Sequence, residues 1–326
     1  MNINEIARLA GVSRATVSRY LNQGYVSAEK KQAIRQVIEN TGYEPSSQAQ
    51  NLRRKVTKLI GVIIPCIYSE SVSRMVEGIS GVLAKEGYQL LLANTQNDER
   101  EELKYLKIFR KNHVDGVIFM GTIFSEEHFR LMGEVEVPLV VIGQRVKEYT
   151  CVYHDDYHAA YDAAGLLLRT GKKIGFLGVT EHDQAVGAER KMGFLEALRE
   201  HGHAIVPENL VETDFNMHSG YEKTKELMER EPDIDSLFCV TDSLAIGALQ
   251  YLHEAGIAVP EQVQLLGFDD TQMGSVVTPA LATVHFFYEN SGEEVARQLL
   301  AILGSGQDLK REVKMGYQVM EHASLR

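Results

Sequence analysis

Apolar positions return at helical spacing from the first residues of the chain. Ile3, Ile6, Ala7 and Ala10 fall on one face of a segment from Asn2 to Ala10. Asn2 and Glu5 stand at capping-box spacing, and Gly11 is placed to end that helix. Ser13 can cap a second helix running to about Asn22. In it Val17 and Leu21 face inward, while Arg14, Ala15, Ser18 and Arg19 fall largely on the other side. A third helix is predicted from about Ser27 to Thr41, with Ala33, Ile34, Val37 and Ile38 as its apolar stripe and Gly42 as its stop. From Lys58 the texture changes to short apolar runs of the kind buried in parallel sheets. These are LIGVIIP (59–65), YQLLLAN (88–94), DGVIFMG (115–121), PLVVIG (138–143), KIGFLGV (173–179), SLFCVTD (236–242) and VQLLGFDD (263–270), with a further strand near 209–213. Helical stretches separate them at about 73–86, 99–112, 156–170, 186–201, 218–230 and 243–255. Strand–helix alternation at this spacing predicts doubly wound parallel α/β sheets. Its restart at KIGFLGV, echoing LIGVIIP, predicts two similar lobes.

Charge sharpens this division. The chain of 326 residues carries a net charge of −11, yet residues 1–58 hold ten Lys/Arg against four acids. That segment is +6 and the remainder −17. A basic head on an acidic body fits a polyanion partner at one end, and equally an uneven solvated surface. No run of 18 apolar residues is present to form a transmembrane helix, and no basic-then-apolar leader opens the chain. Cys66, Cys151 and Cys239 are far apart, odd in number and set in or beside apolar runs, so they read as buried free thiols in a cytoplasmic protein.

The opening helices read as a helix-turn-helix with a supporting helix. In such a unit the N-terminal part of the second helix meets base edges in the major groove, where an Arg can grip guanine O6 and N7. On that reading Arg14 and Arg19 reach bases and the other basic residues mostly meet phosphate; a small solvated three-helix bundle is the other reading. The spacing is specific. Ile6-Ala7, Ala10-Gly11-Val12-Ser13, Thr16-Val17-Ser18-Arg19, Leu21-Asn22, Val26-Ser27 and Gly42-Tyr43-Glu44-Pro45 together resemble the lactose/galactose repressor family of bacterial transcriptional regulators. The resemblance places Arg14, Ala15 and Arg19 at base-reading positions, and Ser13, Thr16 and Asn22 at phosphate-contacting or near-base positions. It matches SSQAQNLRRK to a hinge helix that orders on operator DNA. Ala49 lies in that helix, Leu52 at the position of a minor-groove wedge, and Arg53 follows it. The organisation implied is a helix-turn-helix domain over 1–45, a hinge and linker over 46–58, and a two-lobed effector-binding and dimerisation domain over 59–326.

The body is similar to the family's effector domain, which resembles periplasmic sugar-binding proteins. DGVIFMG, ERKMGF, TDSLAIGAL, EAGIAVPEQVQLLGFDD and TPALATV carry the likeness. Ligands of parallel sheets sit at the carboxyl ends of strands. The residues there are mostly neutral hydrogen-bonders with a few charges, which suits a polyhydroxylated ligand: Ser69, Ser71, Asn94, Gln96, Gln144, Arg145, Thr241, Asp242, Asp269 and Asp270. By resemblance Arg190 and Asp269 match effector-binding positions, and Phe215 and Tyr288 match aromatic places beside the ligand. The effector implied is a small sugar or sugar phosphate, since Arg190 can meet a hydroxyl or a phosphate. The other partners implied are a pseudo-palindromic double-stranded operator and a second copy of the chain, with residues 70–85 and 275–290 as the dimer surface. No heptad segment follows, so a tetramer is not expected.

Enzymatic signatures are missing. There is no GxGxxG, no GxxxxGK followed by Ser or Thr, and no GxSxG. YHDDYH (153–158) lacks metal-ligand spacing, and Asp155 or Asp156 is placed to cap the next helix. Asp269 and Asp270 point to opposite faces of a strand, which argues against a catalytic pair. No cofactor, metal or catalytic residue is therefore predicted. The competing reading is a cytoplasmic sugar-binding protein or sugar-active enzyme with an incidental basic N-terminus. It predicts no affinity for DNA and full ligand binding after deletion of 1–58.

Overall fold

The computed structural model describes residues 1–21, 24–43, 56–111, 114–307 and 310–326. It divides into two units, Met1–Lys58 and Leu59–Arg326. In the first, α1 spans Ile3–Leu9. The Asn2 side chain accepts the amides of Asn4 and Glu5, and the Asn2 amide donates to Glu5 at 2.9 Å, closing the capping box. The turn at Gly11 has φ +65°, a conformation glycine adopts without strain. Helix α2 covers Arg14–Leu21 and α3 covers Ala28–Thr41, ended by Gly42 at φ +61°. Ile6, Ala7, Val17 and Ile34 form the buried centre of this small bundle.

The second unit contains two parallel sheets. In chain order its elements begin with β1 (Leu59–Ile64), α4 (Glu70–Lys85), β2 (Gln89–Asn94), α5 (Glu99–Lys111), β3 (Gly116–Phe119), α6 (Glu126–Gly133), β4 (Leu139–Ile142) and β5 (Thr150–His154). Next come α7 (Asp156–Leu167), β6 (Ile174–Gly178), a π-helical segment (Gln184–Glu189), α8 (Arg190–Glu200), β7 (Leu210–Glu212), α9 (Met217–Arg230), β8 (Ser236–Cys239), α10 (Asp242–Glu254) and β9 (Gln264–Leu266). The chain finishes with α11 (Gln272–Val276), β10 (Thr283–Phe286), α12 (Tyr288–Ser305), β11 (Glu312–Met315) and β12 (Tyr317–Met320). The first sheet has the order β11-β5-β4-β3-β1-β2 and the second β7-β6-β8-β9, every pairing in both being parallel. A separate antiparallel pair joins β10 to β12.

The chain passes between the lobes three times, at 154–156, 286–288 and 315–317, where β5 gives way to α7, β10 to α12 and β11 to β12. The first lobe is completed by α12 and β11 from the far end of the chain. Helix α12 lies so close on α4 that a Cβ at Gly292 would stand 2.0 Å from the Met75 carbonyl oxygen, and one at Gly78 2.0 Å from that of Glu289.

The doubly wound alternation is present, with differences that have physical reasons. Strand β5 lies outside the predicted pattern because Thr150, Tyr153 and His154 interrupt its apolar run. Helix α6 and the elements after β9 also lie outside it. The helix expected over 186–201 divides into a π-helical segment and α8, with the Asp183 side chain accepting the Val186 amide at its start. Helix α4 begins three residues before its expected start at 73, at Glu70. Asp155 precedes α7 yet makes no side-chain cap. Its carboxylate instead accepts from His158 Nδ1 at 2.7 Å and Lys314 Nζ at 2.7 Å. The two lobes are similar in plan but unequal, with six strands against four.

Candidate functional site

On the head, Ser13, Arg14, Ala15 and Arg19 are exposed along one side of α2, while Val17 and Ser18 are buried behind them. The Ser13 hydroxyl lies 2.9 Å from that of Thr16 and accepts the Thr16 amide at 3.2 Å, fixing the start of the helix. The side of α2 that carries the guanidinium groups is therefore the side free of the bundle's core. Asn22, Ala49, Leu52 and Arg53 lie outside the described residues.

In the second unit a cavity of about 400 Å³ opens between the lobes at the carboxyl ends of the strands. Ser69, Ser71, Gln144, Arg190, Phe215, Thr241, Asp269 and Tyr288 line it. Asp242 does not. It is fully buried behind the wall, where its oxygens accept from the Thr271 amide, the Thr271 hydroxyl and the Thr283 hydroxyl at 2.8, 2.9 and 2.6 Å. Its neighbours Thr241 and Ser243 reach the cavity instead. Asn94 accepts the Ile67 amide, Arg145 pairs with Glu312, and Asp270 pairs with His285; none of the three lines the cavity.

Arg190, at the start of α8, is the hub. Its Nε donates to Asp156 at 2.7 Å and its Nη1 to the Val240 carbonyl at 2.5 Å. Asp269 stands 3.6 Å away, and the guanidinium lies over the rings of Phe268 and Phe286 at 4.8 and 5.1 Å. Burial opposes the charge, but Asp156, Tyr288 and Asp269 outweigh it and hold the group protonated. The Tyr288 hydroxyl donates to Asp269 at 2.6 Å. Burial raises the Asp269 carboxyl to about 6 against the pull of Arg190. Asp269 also sits at φ +110°, outside the ordinary left-handed region, and such strained non-glycine residues concentrate at functional sites. Two arms from the other lobe hold its turn. Arg74 of α4 donates to the Asp269 and Asp270 carbonyls at 3.4 and 3.0 Å, and Glu70 accepts the Gln272 amide at 3.1 Å.

A second polar link crosses the cleft. Gln144, after β4, donates through Nε2 to Asp183 at 3.2 Å and to the Thr122 carbonyl. Burial lifts the Asp183 carboxyl to about 6. His154, at the end of β5, shares a 2.8 Å hydrogen bond with Ser291 and lies between Phe286 and Tyr288. Burial lowers its pKa to about 4, so it is neutral. His154, Asp156 and Asp183 line the site but were not among the expected ligand residues. The first two lie in YHDDYH, whose strand-to-helix position was the available clue.

Comparison with known proteins places this geometry. Residues 2–46 match the family model for bacterial regulatory proteins of the lacI family, and residues 166–325 match that for a periplasmic binding protein-like domain. The sucrose operon repressor of Staphylococcus xylosus is 35% identical over 292 residues, covering 89% of this chain and 90% of that one. Catabolite control protein A of Priestia megaterium is 31% identical over 288 residues, 87% of each. A solved complex of the transcriptional regulator CelR with cellobiose superposes with a TM-score of 0.77 at 25% identity over 99% of each chain. The lac repressor dimer bound to operator and an anti-inducer gives 0.87 at 20% identity, over 99% of this chain and 98% of that one. A DNA-reading head joined to a two-lobed binding module defines a ligand-responsive transcription regulator. The chain belongs to the lacI family of bacterial regulatory proteins.

Proposed function

We propose that this regulator represses a sugar-utilisation operon and is released from it when a small sugar enters the cleft between its lobes. The observation that carries this reading is the Arg190–Asp156–Asp269–Tyr288 network facing a 400 Å³ cavity. Paired donors and acceptors of that kind match vicinal hydroxyls, and the aromatic rings beside them offer apolar faces. Residues 1–45 read the operator, 46–58 serve as hinge and 59–326 bind effector and partner subunit. Two copies present two reading helices, so the operator is a pseudo-palindrome. Among the expected ligand residues, Ser69, Ser71, Gln144, Arg190, Phe215, Thr241, Asp269 and Tyr288 touch the sugar, and Asp242 holds the wall behind them. The protein acts in the cytoplasm and carries no catalytic step.

Effector binding changes the angle between lobes that three crossings connect, and the hinge segments of a dimer respond. A hundredfold loss of operator affinity needs about 2.7 kcal/mol of coupling, within the usual range. The test is a melting-temperature panel of sugars followed by an operator-binding assay with and without any hit. A sugar that shifts the melt by several degrees and weakens operator binding supports the reading. A sugar that tightens operator binding replaces release with co-repression, and a flat panel removes the sugar.

Leu52→Ala should lower operator affinity severalfold by weakening the minor-groove kink while leaving sugar affinity unchanged. Titration of labelled operator in parallel with calorimetry of the sugar checks both halves.

A further inference from the structure

We propose that the cleft is selective for an uncharged polyhydroxylated ligand and rejects the phosphate ester of the same sugar; this rests on the sugar reading above. Five carboxylate or guanidinium residues border the cavity among the described residues, and four of them are acids: Glu70, Asp156, Asp183 and Asp269 against Arg190 alone. No lysine lines it among the described residues. Arg74 offsets Glu70, and Arg190 offsets one aspartate, which leaves a surplus of two carboxylates.

Arg190 has little left to offer a phosphate. Its Nε is on Asp156, its Nη1 is on the Val240 carbonyl with Asp269 3.6 Å away, and the rings of Phe268 and Phe286 stand beside it. Nη2 is what it has left, and a phosphate would have to displace Asp156 from Nε or the Val240 carbonyl from Nη1 to gain the bidentate contact that makes arginine a phosphate binder.

Helix starts are the other ready anion sites of an α/β cleft, because their free amides and dipole favour negative charge. Most such starts here carry an acid, although α9, capped by Asn216, and the short α11, capped by Thr271, do not. Glu70 occupies the first turn of α4, Asp156 that of α7 and Asp242 that of α10. Asp183 caps the π-helical segment through the Val186 amide. The remaining imidazole, His154, is buried and neutral and adds no positive charge. Acceptor-rich walls of this kind suit hydroxyl donors, whereas a phosphate monoester brings nearly two further negative charges at neutral pH.

The experiment uses the full chain at pH 8, where both Asp183 and Asp269 are ionised. Matched pairs are titrated: glucose and glucose 6-phosphate, sucrose and sucrose 6-phosphate, trehalose and trehalose 6-phosphate. At least one neutral sugar should bind, with its phosphate ester at least tenfold weaker. Asp183→Asn keeps a capping oxygen and an acceptor for Gln144 while removing one charge, so it should fold and should narrow that gap severalfold. A phosphate ester that binds as tightly as its parent overturns the selectivity and leaves the sugar reading standing. An unchanged gap in Asp183→Asn overturns the electrostatic origin. No binding by any member of any pair overturns the sugar reading itself, and the selectivity with it.

Discussion

Single residues in this cleft hold opposite protonation states within a few ångströms of each other. His154 is neutral because burial lowers its pKa from 6.5 to about 4. The folded protein thus refuses a proton that the unfolded chain accepts. Its contribution to stability is untouched above pH 6.5 and is lost as the pH falls from 6.5 towards 4, by up to ~1.4 kcal/mol per pH unit. His154→Gln retains a partner for Ser291 and should lose less melting temperature than the parent between pH 7 and 5, read by circular dichroism. Arg190 sets the reverse case. Arg190→Ala strands Asp156 and Asp269 in the interior and should cost about 3–5 kcal/mol at pH 8. Asp269 already has a raised pKa, and losing the cation raises it further. Such a group is destabilising above its unfolded pKa, and protonation relieves it. The deficit measured by urea titration should therefore shrink from pH 8 to pH 5. Arg190 and Asp269 were legible before the structure because the family pattern marks them. Asp183 was not, since nothing in its sequence neighbourhood distinguishes a cleft carboxylate from an exposed one.

At the scale of elements, helix contacts carry much of the geometry. The first lobe depends on α4 and α12 meeting backbone to backbone at Gly78 and Gly292. Glycine in a helix interior costs about 1 kcal/mol relative to alanine, and here the close approach is the return for it. Gly292→Ala gains that propensity but drives a methyl group into the Met75 carbonyl, which cannot move aside cheaply. The net effect should be a loss of about 1–3 kcal/mol in stability by chemical denaturation. A neutral or stabilising outcome would mean the helices part easily. Periodicity revealed the strands of both sheets whose apolar runs are continuous. It did not reveal β5, with its polar positions, nor that β11 joins a sheet begun some 250 residues earlier. Pairing partners are a property of topology, and a short strand such as EVKM reads as a surface segment until its neighbour is known.

Across the whole molecule, charge is partitioned as sharply as structure. The +6 of residues 1–58 contrasts with the −17 of the remainder. Affinity for operator should therefore fall steeply with salt, by about a thousandfold between 50 and 200 mM if several phosphates are contacted. A gel-shift series in chloride checks this, and a flat dependence would remove phosphate contacts as the main source of affinity. The same topology has a consequence for synthesis. The head precedes the body in the chain and has its own core, so it can fold before the body is made. The first lobe, by contrast, must wait for α12 and β11, the latter made some 250 residues after β1. At about 5–20 residues per second, that interval is on the order of tens of seconds. During it the nascent chain holds a finished DNA reader beside a ligand-blind body, with the edge of β5 that β11 will cover still open to chaperones.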